Sequence, residues 1–433
     1  MDRRTFIQTG TAAGLGIGVA GCNSPTPAAS AQQAQPGAQA AAGVHPALAA
    51  LKPMTADVKP ITKDERAARV QKAQQLMAAN KISAIFLEGG SSMFYFTGIR
   101  WGLSERPFVC VLPAKGEAAW VAPGFEEERA RELVGKTAEV RVWQEDESPY
   151  KQIAGILKDR GAASGRVGVE ERLRFFIANG VRKESPGTEF VDADAITAGC
   201  RMIKSATELA LMQKASDITI EAFRAAFQTF KEGMTQGELQ ANIATAHRLL
   251  GAPGSAGVSF GMYTAFPHGS IEPQKLKEGD VIQVDGGCAV DGYQSDITRT
   301  VVFGRPSARQ TEIWNLEKKA QAAAFAVVRP GTPCEAVDAA ARKVITDAGF
   351  GPDYKVPGLP HRTGHGIGLD GHEWTNFVRG NKTPLAPGMC FSNEPIIAIY
   401  GEFGIRLEDC LYVTENGAQY FSQPSPAIDK PFA

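Results

Sequence analysis

Between residues 62 and 80 apolar side chains recur at helical spacing, and Thr62 followed by Glu65 makes a capping-box pattern, so this stretch predicts a helix. Short apolar runs then alternate with polar ones. Ile82 to Leu87, Phe108 to Leu112, Ala118 to Ala122, Val140 to Trp143 and Val167 to Val169 read as strands, with a helix from Ile153 to Gly161 before the last. That alternation predicts an α/β domain over 55–203. Its most unusual segment runs from Phe94 to Trp101, with aromatic residues around Gly98 and Arg100. An aromatic core edge is its expected role, and a wall of a substrate pocket is the alternative.

From residue 204 the pattern lengthens and then repeats. Thr207 to Lys231 predicts a long helix, and Thr235 to Glu238 opens another through T-x-x-E. A hairpin follows around Val290-Asp291-Gly292, with Asp285 on its first arm and Asp296 on its second. Ser307 to Val328 predicts the next long helix. Thr332 to Glu335 repeats the T-x-x-E, now with Pro333 expected at the first helical position, and extended arms carry Glu394 and Glu408 around a glycine-bearing bend. A helix-helix-hairpin unit that ends twice in paired acids predicts two halves about a pseudo-twofold axis, their acids on the inner face of one curved antiparallel sheet. The expected class is α+β, with this second domain spanning 204–428. Asp285 and Asp296 lie an odd interval apart, so they share a face only if the turn resets the alternation.

Asp285, Asp296, Glu394 and Glu408, with His365 in Gly364-His365-Gly366-Ile367-Gly368, all sit in apolar or glycine-rich surroundings. Such groups are costly to bury without a cation. Oxygen-dominated ligation without thiolates suits manganese, with cobalt, iron or zinc as alternatives. Four carboxylates and an imidazole exceed the needs of one ion. Two divalent ions roughly 3.5–4 Å apart would share the carboxylates and clamp a hydroxide nucleophile. His268, His361 and His372 fall in the same region.

Composition narrows the partners. The 433 residues suit two domains plus an extension, and 43% hydrophobic with 21% charged content excludes disorder throughout. A net charge of −1 without a basic block argues against nucleic acid. Seven cysteines form no CxxC pattern, and the later ones read as small buried residues first and reactive thiols second. Asp2-Arg3-Arg4-Thr5-Phe6-Ile7-Gln8 resembles a twin-arginine export motif, and Val19-Ala20-Gly21-Cys22 resembles a lipobox. Residues 1–22 are thus expected to be an export signal, 23–54 a flexible tether, and the protein to face the periplasm, touching membrane only through a lipidated Cys22.

Several motifs also resemble a known family. D-x-G-x₅-Y-x₂-D-x-T-R-T from Asp285, G-H-G-I-G-L-D-x-H-E from Gly364, N-E-P from Asn393 and G-I-R-L-E-D from Gly404 follow the order found in Xaa-Pro aminopeptidases, prolidases and methionine aminopeptidases. Met202 to Glu208 resembles the interdomain junction of the prolidase and creatinase branch, and Tyr95-Phe96-Thr97-Gly98 the creatinase-type N-terminal domain. The resemblance implies a pita-bread catalytic domain with Asp285, Asp296, His365, Glu394 and Glu408 as metal ligands, Asp296 and Glu408 bridging. It implies Glu394 as general base, His268 and His372 as substrate contacts, His361 as a further active-site residue and Arg406 as an orienting group. The implied substrate is a proline-containing peptide cleaved after its N-terminal residue, and the implied assembly a homodimer. Two positions depart from the family pattern: Ile396 stands where glycine is commoner, and Phe266-Pro267-His268-Gly269 matches only in part. A same-fold metal-dependent lyase or hydrolase of another small molecule is the alternative activity. A non-catalytic binding module would have eroded ligands, and this chain keeps all five.

Overall fold

The computed structural model describes residues 43–433, so the expected export signal, Cys22 and the first part of the tether lie outside the described residues. The end of the tether is corrected. Residues 46–49 form a helical turn, Leu48 is buried, and Leu51 and Met54 pack on the same apolar cluster. The Met54 amide donates to the Leu250 carbonyl at 2.8 Å. Three spaced apolar side chains are enough to anchor a segment whose remaining composition is that of a linker.

The first domain is built on one mixed sheet. Its strands are β1 (Ala84–Glu88), β2 (Val109–Pro113), β3 (Ala119–Pro123), β4 (Glu139–Trp143), β5 (Arg166–Val169) and β6 (Glu189–Asp192), in the order β4-β3-β2-β1-β5-β6. β6 is half exposed and too polar to have been predicted. Alternation along β1 sends Ala84 and Phe86 to one cluster, with Ile153 and Val181, and Ile85 and Leu87 to the other. The second cluster continues into Leu211, Cys288 and Tyr293, so the two domains share a core. The helix Lys63–Ala79 begins with the expected capping box. The aromatic segment forms a helix, Ser91–Thr97, ended by Gly98 at φ +77°. Phe94, Tyr95 and Phe96 are buried, and Trp101 stacks on Phe108 at 4.0 Å, which is the core-edge role.

The second domain opens with the helices Ala206–Phe227 and Gln236–Leu249, both closed by capping boxes. β7 (Gly254–Phe260), β8 (Val281–Val290), β9 (Tyr293–Gln294) and β10 (Ile297–Val302) follow. Asp291 and Gly292 have φ of 47° and 91°, the signature of a two-residue type I′ turn. It fixes the register Val290↔Tyr293, and the same register continues as Thr298↔Asp285. Asp296 therefore lies across from Gly287 and on the face of Asp285. A Cβ on Gly287 would lie 2.0 Å from the Ser295 carbonyl oxygen, so glycine is what lets the second arm close in beside Asp296.

The second half repeats the order with helices Ala308–Val327 and Cys334–Asp347 and strands β11 (Gly364–Gly366), β12 (Glu373–Phe377), β13 (Cys390–Asn393), β14 (Ile396–Ile399), β15 (Phe403–Arg406), β16 (Asp409–Val413) and β17 (Ala418–Tyr420). Its second helix is not capped as expected. Pro333 is the N-cap residue and makes no side-chain cap. The Cys334 and Glu335 amides donate to the Thr383 and Asn381 carbonyls at 3.0 and 2.8 Å, and the Thr332 hydroxyl turns to the Val327 carbonyl. A distant segment thus satisfies donors that a local box serves in the first half.

Asn393 pairs with Asp409 and Ile396 with Arg406, which sets Glu394 across from Glu408 in the gap between the two ladders. Thr298 and Glu408 exchange N–H···O bonds at 3.3 Å, and this bridge joins the two halves. The order β7-β8-β10 on one side is matched by β11-β13-β16 on the other.

Candidate metal centre

Register brings the acids together. Asp285, Asp296, His365, Glu394 and Glu408 line one cavity of about 480 Å³, and His268, His361, His372 and Arg406 line the same cavity. Every site residue expected from the sequence is therefore in one place. Asp296, His365 and Glu408 each bring a ligand atom within 4.8 Å of the others.

His365 Nε2 lies 3.2 Å from Glu394 Oε1 and 3.7 Å from Asp296 Oδ2. Its Nδ1 is 3.1 Å from the Gly366 carbonyl, which can only accept, so the Nδ1 proton is committed there. In the neutral ring the Nε2 lone pair then faces carboxylate oxygens, which only a proton or a cation can reconcile. The Thr298 hydroxyl makes the same point: it is 2.9 Å from Asp285 Oδ1 and 2.6 Å from Glu408 Oε2, with one proton to give. Glu408 Oε1 is buried without a partner among the described residues. Arg406 neutralises part of the charge through Asp285 and also donates to the Pro267 carbonyl at 2.9 Å.

The acids titrate accordingly. Burial, then the Asp285 charge, pushes Asp296 up to about 7. Burial and the Asp296, Glu394 and Asp285 carboxylates hold Glu408 well above the usual carboxylate range. Burial would also raise Glu394, but the hydrogen bond and charge of His365 outweigh it and the net direction is down. His365 is displaced upward: burial opposes its charge, and the Glu394 contact overcomes burial. Without a cation this cluster holds protons that neutral solution would remove. A buried oxygen-rich donor set with an orphaned carboxylate oxygen fits divalent metal.

Burial, then the positive charges of His365 and Arg362, depresses His372 to about 4. The Arg362 guanidinium lies 3.2 Å from His372 Nδ1, so that nitrogen accepts and Nε2–H is free to donate. His361 is also displaced downward by burial. Its Nδ1 donates to the Arg362 carbonyl at 2.6 Å, and its buried Nε2 has no partner among the described residues. Sequence reasoning missed Thr298 and Arg362. Thr298 was findable, because it lies two residues beyond Asp296 on the same strand face. Arg362 carried no local signal.

Comparison with known proteins agrees with this geometry. Residues 210–415 match the model of metallopeptidase family M24, and residues 69–203 match the creatinase/prolidase N-terminal domain. The chain is 31% identical to the Xaa-Pro dipeptidase of Pyrococcus furiosus, covering 81% of this chain and 96% of that one. The chain belongs to metallopeptidase family M24. It is 34% identical to the probable dipeptidase PepE of Mycobacterium tuberculosis over 81% of this chain and 93% of the relative. The crystal structure of dipeptidase PepE from Mycobacterium ulcerans superposes with a TM-score of 0.78 at 32% identity, covering 84% of this chain and 97% of that chain. The fold is accordingly the pita-bread domain preceded by a creatinase-type domain, and the chain is a peptidase.

In this M24 chain the loop bearing His372 is held from the first domain and from Lys204 at the start of the second. Asp370 accepts from Ser91, Arg172 and Arg201, each at 2.6 Å. Glu373 accepts from Arg201 at 2.5 Å and from Lys204 at 3.0 Å. The Lys204 and Glu373 side chains are 1% and 5% exposed, so these pairs are little screened by solvent. Arg201→Gln is expected to lower kcat about 10- to 100-fold with bound metal unchanged, as for groups that orient side chains around a metal site. In a His372→Ala background the same substitution should cost little more; full additivity in that double-mutant cycle would refute action through His372.

Proposed function

We propose that this peptidase removes the N-terminal residue from Xaa-Pro dipeptides or longer peptides, with two divalent ions, manganese first among them, held by Asp285, Asp296, His365, Glu394 and Glu408. The observation that carries the reading is the single cavity in which these side chains meet His268, His361 and His372. The name of the Pyrococcus furiosus relative, Xaa-Pro dipeptidase, supports the prolyl preference.

Bound ions would supply Lewis acidity toward the scissile carbonyl and lower the pKa of water. The chain's own groups do the rest. Glu394, kept ionised by His365, accepts a proton from the attacking water. His372 donates from Nε2–H to the oxygen that becomes negative, and its low pKa keeps it a neutral donor near pH 7. His268 contacts substrate on the wall beside Asp285, and His361 offers its free Nε2 as an acceptor. Arg406 fixes Asp285.

The deciding assay loads metal-free protein with Mn²⁺ or Co²⁺ and presents Xaa-Pro dipeptides, Xaa-Pro-Yaa peptides and non-prolyl controls. Folded, metal-loaded protein that cleaves none of the prolyl substrates ends this reading. We also propose periplasmic export, anchoring through a lipidated Cys22, and a homodimer. Arg3→Lys/Arg4→Lys is expected to retain the protein in the cytoplasm; unchanged fractionation would remove the export assignment.

A further inference from the structure

A second cavity, of about 460 Å³, adjoins the acidic one and shares Pro267, His268, Asp285 and Arg406 with it. Its floor is the same sheet face. Gln283 lies two residues before Asp285 on β8, and Ser259 is its partner across β7, so both point where Asp285 points. Beyond the shared wall, among the described residues, the lining holds no ionisable side chain and is rich in neutral hydrogen-bonding groups, among them Gln240, Ser259, Ser270 and Gln283.

Gln283 is the informative residue. It is only 4% exposed, its Oε1 is buried, and that oxygen has no hydrogen-bond partner among the described residues. Buried side-chain amides are ordinarily satisfied. Arg406, on the shared wall, donates to Asp285, Thr298 and the Pro267 carbonyl and makes no hydrogen bond to Gln283 among the described residues.

Resting on the prolyl reading above, we infer that this cavity receives the side chain of the N-terminal residue of the substrate and selects a neutral hydrogen-bonding group, a carboxamide foremost. A dipeptide ending in proline has two side chains to place. The pyrrolidine ring has no donor or acceptor and would leave the Gln283 amide unpaired, so the polar cavity falls to the other residue. A carboxamide brings both a donor and an acceptor, which pairs the Gln283 amide whichever way it is turned. An aliphatic chain of equal length fills the space and strands the amide. Sites built around a hydrogen bond discriminate strongly against analogues that lack it.

The test uses the full chain loaded with Mn²⁺ and compares kcat/KM for freshly prepared Gln-Pro with that for Met-Pro, which has the same chain length. The expected ratio favours Gln-Pro by about tenfold or more. In Gln283→Leu the ratio should collapse to within about threefold of unity, at unchanged bound metal. Ser259→Ala, a smaller change on the same floor, should reduce the ratio partway and serves if Gln283→Leu fails to fold. Met-Pro preferred by the wild type, or a ratio that neither substitution moves, overturns this inference and leaves the prolyl reading intact. Absence of turnover with every Xaa-Pro substrate overturns both.

Discussion

Asp296→Asn is expected to lower kcat/KM by roughly three orders of magnitude and to reduce bound metal, measured by steady-state kinetics and by metal analysis of the purified protein. The substitution keeps shape and removes one charge from the middle of the cluster, where Asp285, Glu394 and His365 all act on Asp296. A second consequence separates loss of a ligand from loss of fold. Asp296 has its pKa raised from 3.8 to about 7, so the folded protein binds a proton there that the unfolded chain has already released. Stability of the metal-free protein therefore falls as pH rises through that window, and Asn at this position removes the Asp296 share of the fall. Metal-free Asp296→Asn should melt at or above the wild-type temperature at pH 7. Normal metal content with normal activity would refute the assignment of Asp296 as a ligand.

The second large effect lies on the opposite face of the sheet. Arg299 and Asp409 are each 1% exposed and paired at 2.7 Å. Arg299 also donates to the Thr298 and Glu408 carbonyls at 3.1 and 3.0 Å, which ties the backbone of the two halves at their bridge. Arg299→Met should destabilise the protein by about 3–5 kcal/mol in urea unfolding, because it leaves the Asp409 carboxylate buried without its cation. Among the described residues Asp409 then retains only Ser422 at 2.6 Å and Gln321 at 3.2 Å. Adding Asp409→Leu should restore part of the loss, since an apolar pair strands no charge. A change below about 1 kcal/mol in the single variant would mean that the pair is not what holds the seam.

The legible part of this protein was local or periodic. Thr62 with Glu65 and Thr235 with Glu238 cap their helices as written, because a capping box needs four residues and nothing else. Thr332 with Glu335 carries the same letters and makes no box, because Asn381 and Thr383 reach the helix start first. The tether failed for a related reason: Leu48, Leu51 and Met54 are sparse in sequence, and only their burial turns them into an anchor.

By itself the sequence picked out the candidate acids and the face they occupy. Acids with glycine and apolar neighbours need a cation, and the Asp291-Gly292 turn fixes a register that puts Asp285 and Asp296 together. The tertiary structure alone decided which halves meet, through the Thr298–Glu408 bridge, and how the first domain grips the His372 loop, through Arg201, Asp370 and Glu373. It also decided that Gln283 Oε1 has no partner among the described residues. The members of the bridge and of the grip are more than a hundred residues apart along the chain. Neither propensity nor periodicity carries information over such separations; packing does.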